Sequence, residues 1–263
     1  MKFSGTFRCN GEPVSHPALL SVSGGDVISW ELVERTEVLP ENLPLDIRYE
    51  DDGLLIVNKP CGQLVHPTNR ETVGTLANAV LGYYNRTGIS AAFHPVHRLD
   101  RNTTGLVLIA KQPQLHHMLS PKGKKIFQRE YLAIIPGSLT PTSGLIDAPI
   151  ARDTGSIIRR CVSPGGQDAR TYYETLYTFR GMSLLRLRLE TGRTHQIRVH
   201  LAYLGHPLLG DDLYGGTREL IGRQALHAFR ISFCHPESGN LVDATAELPA
   251  DMANLLPDFR NCS

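Results

Sequence analysis

The chain has 263 residues, 41% of them apolar, and a formal net charge of +1, enough to bury one large core with a small appendage but not several domains. No apolar run approaches the length of a membrane span, and Met1 is not followed by a charged segment and an apolar signal core, so a cytoplasmic protein without membrane contact is expected. Five scattered cysteines (Cys9, Cys61, Cys161, Cys234 and Cys262) form no CxxC pair, and the sequence holds no HExxH, GxGxxG or Walker-type phosphate loop, which argues against a disulfide framework, a metal site and a nucleotide cofactor.

Taken in chain order, the first 40 residues read as a small β-rich unit. FRCNGEPV carries the turn dipeptide Asn10-Gly11, and LLSVSGGDVISWEL sets Gly24-Gly25-Asp26 between two alternating strands. A polar linker from Glu34 to Asn42, bounded by Pro40 and Pro44, puts a domain boundary near residue 40, with a main domain over 41–263. Beyond it, Leu54 to Val57, Leu106 to Ala110, Tyr131 to Ile135, Leu184 to Leu189 and Phe229 to Phe233 have strand length. Helical spacing appears in Val73 to Tyr84, Gln114 to Leu119 and Gln196 to Leu204, the last closed by Gly205. Strands recur without a steady βαβ alternation, so the expected fold is α+β, a mixed and mainly antiparallel sheet with flanking helices.

Charge is unevenly spread. Residues 1–60 hold 5 Lys or Arg against 10 Asp or Glu, whereas residues 97–160 hold 10 against 4, including Lys122, Lys124, Lys125, Arg129, Arg159 and Arg160. Such a cluster suits either a solvated face or a phosphate backbone.

Three polar patches could carry chemistry. In HRLDRNTTGLVLIAK, His97 to Lys111, Asp100 lies between Arg98 and Arg101 just ahead of an apolar run. The ordinary reading of such an aspartate is a turn or capping residue bonded to its own backbone; the functional one is a carboxylate held by cations, able to act as nucleophile or base. RTHQIRVHL, Arg193 to Leu201, sets Arg198 on a helix among Ile197, Val199 and Leu201. Alone it reads as a snorkelling surface residue, but facing Asp100 it would make a charge-assisted pair. Tyr131, opening a strand after Gln128-Arg129-Glu130, is either a half-buried strand aromatic or a surface on which a base can stack.

As a set these residues resemble the pseudouridine synthases of the large HRLD-motif family that modifies ribosomal and transfer RNA. The resemblance runs from about Tyr49 to Asn240 through five ordered motifs: LLIVNKPCGQLVHP, HRLDRNTTGLVLIAK, REYLAII, TGRTHQIRVHLAYLGHPLLGDDLYGG and ALHAFRISFCHPESG. It implies that family's sheet with an active-site cleft across its middle, and an isomerisation in which uracil leaves its ribose, turns and rejoins through a ring carbon without any cofactor. It also implies Asp100 as the essential aspartate, Arg198 as its partner, Tyr131 against the target base, and Arg98 in the space the flipped uridine vacates. His97, Arg101, Thr104, Arg129, Arg193, His195 and Gln196 are the remaining expected substrate contacts. Asn102 and Thr104 depart slightly from the family turn, where an acidic residue and a Ser are common.

Residues Arg8 to Leu32 resemble the β-rich second half of an S-four-type RNA-binding domain without its two helices. The expected partner is structured RNA, ribosomal more than transfer, bound by a monomer. Two other classes stay open at this point: a non-catalytic RNA-binding protein, and a glycoside hydrolase. The latter would need a second carboxylate, for which Glu130 and Asp211 are the near candidates, Asp211 reading better as a turn residue in GDDLYGG.

Overall fold

Asn10 (φ 53°) and Gly11 (φ 86°) make the tight turn expected of that dipeptide and join strand β1 (Lys2–Cys9) to β2 (Glu12–Val14). The computed structural model describes residues 2–35, 37–121, 126–257 and 259; the predicted basic residues Lys122, Lys124 and Lys125, and Cys262, lie outside them. On its other side β1 pairs along its whole length with β3 (Ile28–Arg35), giving a three-stranded antiparallel sheet. The strand predicted through LLSVS does not form. Pro17–Leu19 is a 3-10 turn, set by the fixed φ of Pro17, and the loop beyond it is held by side chains instead of a ladder. The Asp26 carboxylate accepts the Ser23 N–H, while the Asn10 side chain bonds Asp26 and the Val27 N–H.

The large sheet is built from β4 (Ile47–Glu50), β5 (Leu54–Lys59), β6 (His94–Pro95), β7 (Thr104–Ala110), β8 (Gln128–Pro136) and β9 (Ser143–Asp147). A separate hairpin follows, β10 (Ile150–Arg152) and β11 (Arg160–Val162), and the large sheet resumes with β12 (Arg170–Phe179), β13 (Met182–Leu189), β14 (Leu226–Cys234) and β15 (Leu241–Thr245). Its order is β4-β5-β7-β14-β8-β13-β12-β9, with β6 on β7 and β15 on β14. Every pairing is antiparallel except β7 with β14, which run parallel over two residue pairs, His227 opposite Thr104 and Ala228 opposite Gly105. This short parallel seam joins a half made of β4, β5, β6 and β7 to a half holding the other strands.

Leu54 to Val57, Leu106 to Ala110 and Tyr131 to Ile135 are buried throughout because both faces of the sheet are covered there, whereas Leu184 to Leu189 leaves Arg186 and Arg188 exposed and Phe229 to Phe233 is buried in part. Leu55, Val57, Val107, Ile109, Ala133, Ile135, Leu185 and Leu187 share one core. Leu54, Ile56, Leu106 and Leu108 belong to a second on the opposite face, and Leu132, Ile134 and Leu184 to a third. The first core is covered by helices α1 (Leu76–Thr87) and, farther along the chain, α3 (Gln196–Tyr203); α2 (Pro113–Leu119) and α4 (Ala250–Ala253) cover the others. Helix α1 starts three residues later than its apolar spacing suggests, because Gly74 takes φ 72° and Thr75 caps the helix in a reciprocal box with Asn78. Among the described residues no helix is long and apolar enough to cross a membrane.

Candidate active site

Strand register brings the three polar patches together. Ala228 on β14 lies opposite Gly105 on one side and Tyr131 on the other, so the loop ending at β7 is set against β8. Gly105 makes this possible: it takes φ 112°, and a Cβ there would sit 2.2 Å from the Ala228 carbonyl oxygen. The loop carrying Asp100 turns immediately before β7, with the Thr103 N–H donating to the Asp100 carbonyl at 3.1 Å. Asp100 is therefore a turn residue through its backbone, while its side chain is used elsewhere.

The Oδ2 atom of Asp100 accepts from Nη1 of Arg198 at 3.0 Å, across 98 residues of sequence. Arg198 is a buried residue on α3, not a snorkelling one. Its Nε and Nη2 donate to Oδ2 and Oδ1 of Asp211 at 2.7 and 2.8 Å, a forked contact with a carboxylate that is 1% exposed. Asp211 is thus more than the turn residue its Gly-rich setting suggested. Its carbonyl does serve the turn, accepting the Tyr214 and Gly216 N–H groups, but its carboxylate holds Arg198. Burial works to lower the Arg198 pKa, and the Asp211 hydrogen bonds with the charges of Asp211 and Asp100 outweigh it and hold the guanidinium above its ordinary value. With Nε and Nη2 engaged by Asp211, Arg198 reaches Asp100 through Nη1 alone, and among the described residues Oδ1 of Asp100 carries no hydrogen bond. The Asp100 side chain keeps 28% of its surface open.

Tyr131 is almost fully buried on the same face, and that burial pushes its phenol pKa up. Arg129, two residues earlier and so on the same side of β8, is also buried, lies 5.4 Å over the Phe127 ring and donates to the Thr191 carbonyl at 3.3 Å, while its Nε has no partner among the described residues. Glu130 projects to the other face, where it pairs with Arg230 at 3.3 Å. With Glu130 turned away and Asp211 held by Arg198, neither carboxylate stands as the second group a glycoside hydrolase needs.

Of the other predicted contacts, Arg98 is exposed beside Asp100, and His195 lies with Nε2 3.7 Å from Asp100 Oδ2. Arg101 is exposed and ion-paired to Glu71, and Arg193 donates through Nε to the Asp168 carbonyl at 2.9 Å. His97, Thr104 and Gln196 are buried, and their side chains are bonded within the protein. His97 Nε2 accepts the Leu108 N–H at 3.1 Å, and Thr104 bonds His227 Nδ1 at 2.8 Å. Gln196 accepts from Thr191 and Arg193 and donates to Arg170 and Thr171, which ties the start of α3 to β12.

Sequence reasoning passed over Lys59 and Tyr214 although both stand in the quoted motifs. Lys59 is fully buried beneath the Asp100 loop, where its ammonium donates to the carbonyls of Pro60, Gln63 and Arg101 at 2.8, 2.9 and 3.0 Å. Burial lowers its pKa to about 7, against the opposing pull of Cys61 and Asp100. The available signal was slight, a lysine two residues past the apolar run Leu54 to Val57, where a charge that stays buried must find partners.

A family profile described as RNA pseudouridylate synthase matches residues 53–203, more than half of the chain, a segment that carries Asp100, Tyr131 and Arg198. The chain belongs to the RNA pseudouridylate synthase family. This synthase is 43% identical over 260 residues to a protein of Bacillus subtilis named Uncharacterized RNA pseudouridine synthase YjbO, covering 97% of this chain and 92% of the relative. It is 42% identical over 264 residues to Ribosomal large subunit pseudouridine synthase D of Pasteurella multocida, covering 94% and 81%. A likeness of fold extends to the structure of Human RNA Pseudouridylate Synthase Domain Containing 4, with TM-score 0.64 and 24% identity over 81% of this chain and 92% of the other. The synthase is accordingly an isomerase that converts uridine to pseudouridine in RNA.

Proposed function

We propose that this synthase acts on a uridine in structured ribosomal RNA, with Asp100 as the reacting carboxylate, Arg198 as its partner, Tyr131 against the base and Arg98 in the gap left by the extruded nucleotide. One observation carries the assignment of Asp100: a part-exposed carboxylate bonded on Oδ2 by a buried arginine, with Oδ1 open to a ligand. The bond changes balance without an external reagent. The ribose C1′–N1 bond breaks, a C1′–C5 bond forms, C5 gives up a proton and N1 gains one. Asp100 can drive the exchange by attacking the sugar, by deprotonating it beside C1′ or by adding to the uracil ring, and each route uses an ionised carboxylate oxygen.

The target base must leave its stack, at a cost of a few kcal/mol. Stacking on an aromatic such as Tyr131, worth about 1–3 kcal/mol per base, and occupation of the gap by the planar Arg98 guanidinium offset that cost. Ribosomal RNA is favoured over transfer RNA by relatives named Ribosomal large subunit pseudouridine synthase D at 39–42% identity. We take residues 1–40 as an appended β unit and 41–263 as the catalytic domain, since the amino-terminal sheet exchanges no ladder with the large one. The protein is read as a cytoplasmic monomer.

The test is Asp100→Asn, which keeps the shape but removes the reacting group. Tritium release from RNA labelled at uracil C5 should fall by roughly a thousandfold or more, with RNA affinity changed less than about twofold. Turnover near wild type would remove Asp100 from the mechanism. Release from ribosomal but not transfer RNA transcripts is the expected substrate pattern, and the reverse would overturn the ribosomal reading.

A further inference from the structure

We propose that His195 and Tyr214 form the second jaw of a clamp on Asp100, fixing Oδ2 together with Arg198 so that Oδ1 is the atom presented to the nucleotide. His195 is then a positioning residue, reaching the reaction through Asp100, and Tyr214 acts through His195. The inference rests on the reading of Asp100 given above.

His195 has an unusual backbone. Only three non-glycine residues among those described have positive φ: Asn10, Arg180 and His195. The first two precede glycines in hairpin turns. His195 (φ 58°, ψ 20°) instead stands at the entry to α3, where a side chain in the left-handed region is costly and persists only if its surroundings hold it. What holds it is Tyr214, whose hydroxyl lies 2.8 Å from His195 Nδ1. The two rings meet edge to face at 5.7 Å. Tyr214 is itself fixed: its hydroxyl accepts the Arg160 N–H at 3.0 Å, and its ring lies 5.0 Å from the Arg198 guanidinium and 5.8 Å from that of Arg159.

The clamp requires one tautomer. The Tyr214 oxygen accepts from Arg160, and in the proposed arrangement its own proton goes to Nδ1 of His195. Nδ1 is then an acceptor, and the imidazole proton sits on Nε2, the nitrogen nearest Asp100 Oδ2. Burial lowers the His195 pKa, against the pull of Asp100 and Asp211 and with the push of Arg198 and Arg160, so the ring is the neutral form this arrangement needs near pH 7. At 3.7 Å the Nε2 contact is longer than a hydrogen bond, as catalytic contacts often are before substrate closes the site. A shift of less than an ångström completes it. Oδ2 would then be bonded by both Arg198 and His195, which leaves Oδ1 to the nucleotide.

The experiment measures single-turnover rates with saturating enzyme, alongside RNA affinity and a thermal melt. Tyr214→Phe removes only the hydroxyl and keeps the ring on Arg198; its rate should fall roughly tenfold with RNA affinity within about twofold. His195→Asn suits the left-handed backbone and cannot reach Asp100; its rate should fall roughly 30- to 100-fold. The double variant should be no slower than His195→Asn alone, because the hydroxyl has nothing left to orient. Nitrogen-15 NMR of the imidazole should show the Nε2–H tautomer in the wild type and a mixture in Tyr214→Phe. Wild-type rates in both folded single variants, multiplying losses in the double variant, or an Nδ1–H tautomer in the wild type would each overturn the clamp. Asp100→Asn run in the same assay keeps the two readings apart: if it turns over, the assignment of Asp100 has failed, and if it is inactive while the His195 and Tyr214 variants are normal, only the clamp has failed.

Discussion

Replacing Asp211 by asparagine tests whether the orientation of Arg198, beyond its mere presence, matters to turnover. Aspartate offers two acceptors to Nε and Nη2 of Arg198 at 2.7 and 2.8 Å; asparagine offers one, and its amide N–H₂ meets the other N–H donor to donor. One charge-assisted bond is lost outright, worth about 1.5–3 kcal/mol, and the second is weakened to a neutral acceptor. Arg198 keeps Asp100 as a partner, so the loss stays below the 3–5 kcal/mol typical of stranding a buried charge. A stability loss of about 2–3 kcal/mol corresponds to a fall in Tm of about 5–10 °C for a chain of this size. The guanidinium, released from Asp211, is free to turn and fork onto both oxygens of Asp100, so a charge-assisted bond of about 1.5–3 kcal/mol must break before Oδ1 can react; this slows the chemical step roughly 10- to 100-fold. Tritium release under single-turnover conditions, on protein held well below its Tm, reads the rate. If the Tm falls as expected while the rate stays within about twofold of wild type, Asp211 only braces α3 and the orientation argument is refuted.

Other outcomes follow from the same structure. Arg98→Ala should cost more on a target uridine held in a stem than on the same uridine in a loose strand, where extrusion is cheaper; equal losses on both would assign Arg98 to the chemistry or the fold. His227 lies almost fully buried between Thr104 and the Ala246 carbonyl, and burial lowers its pKa to about 4. The unfolded chain therefore binds more protons between about pH 6.5 and 4, so stability present above pH 6.5 is lost as pH falls toward 4, by up to roughly 3 kcal/mol. Urea midpoints across that window should fall with pH, and His227→Gln should flatten the dependence; an unchanged slope would place the acid sensitivity elsewhere, for instance at His200, which burial also lowers. Gly105→Ala forces a methyl group to within 2.2 Å of the Ala228 carbonyl at a φ of 112°, and should destabilise by more than about 3 kcal/mol. Normal melting of that variant would contradict the close approach.

The five central strands were legible because each is a short apolar or alternating run with at least one buried face, and the HRLD, REYL and RTHQIR segments pointed to Asp100, Tyr131 and Arg198, which the structure brings together. Strand β12 escaped notice for a physical reason: RTYYETLYTF is half exposed, carries polar groups toward both faces and breaks register between Thr175 and Tyr177, so no period of two stands out. LLSVS has the composition of a strand, but its backbone is claimed by Pro17 and by the side-chain bonds of Asn10 and Asp26. Asp211 and Tyr214 were hidden by their neighbours, since a Gly-rich segment reads as a turn whatever its side chains do. The requirement that buried Arg198 be matched by more than one part-exposed carboxylate becomes visible only when α3 is seen to be buried.

The parallel seam between β7 and β14 is two residue pairs wide, and the side chains of the candidate site are shared out across it. Asp100 and Lys59 come from the half that ends at β7; Tyr131, Arg198, Asp211 and Tyr214 come from the other. Neither half owns a complete constellation, so a chain with one half docked and the other frayed holds a carboxylate without its cation or a cation without its carboxylate. Pseudouridine formation is then a report on the whole sheet, silent in partly assembled molecules. Local opening at the seam is then expected to cost turnover while leaving most of the secondary structure in place.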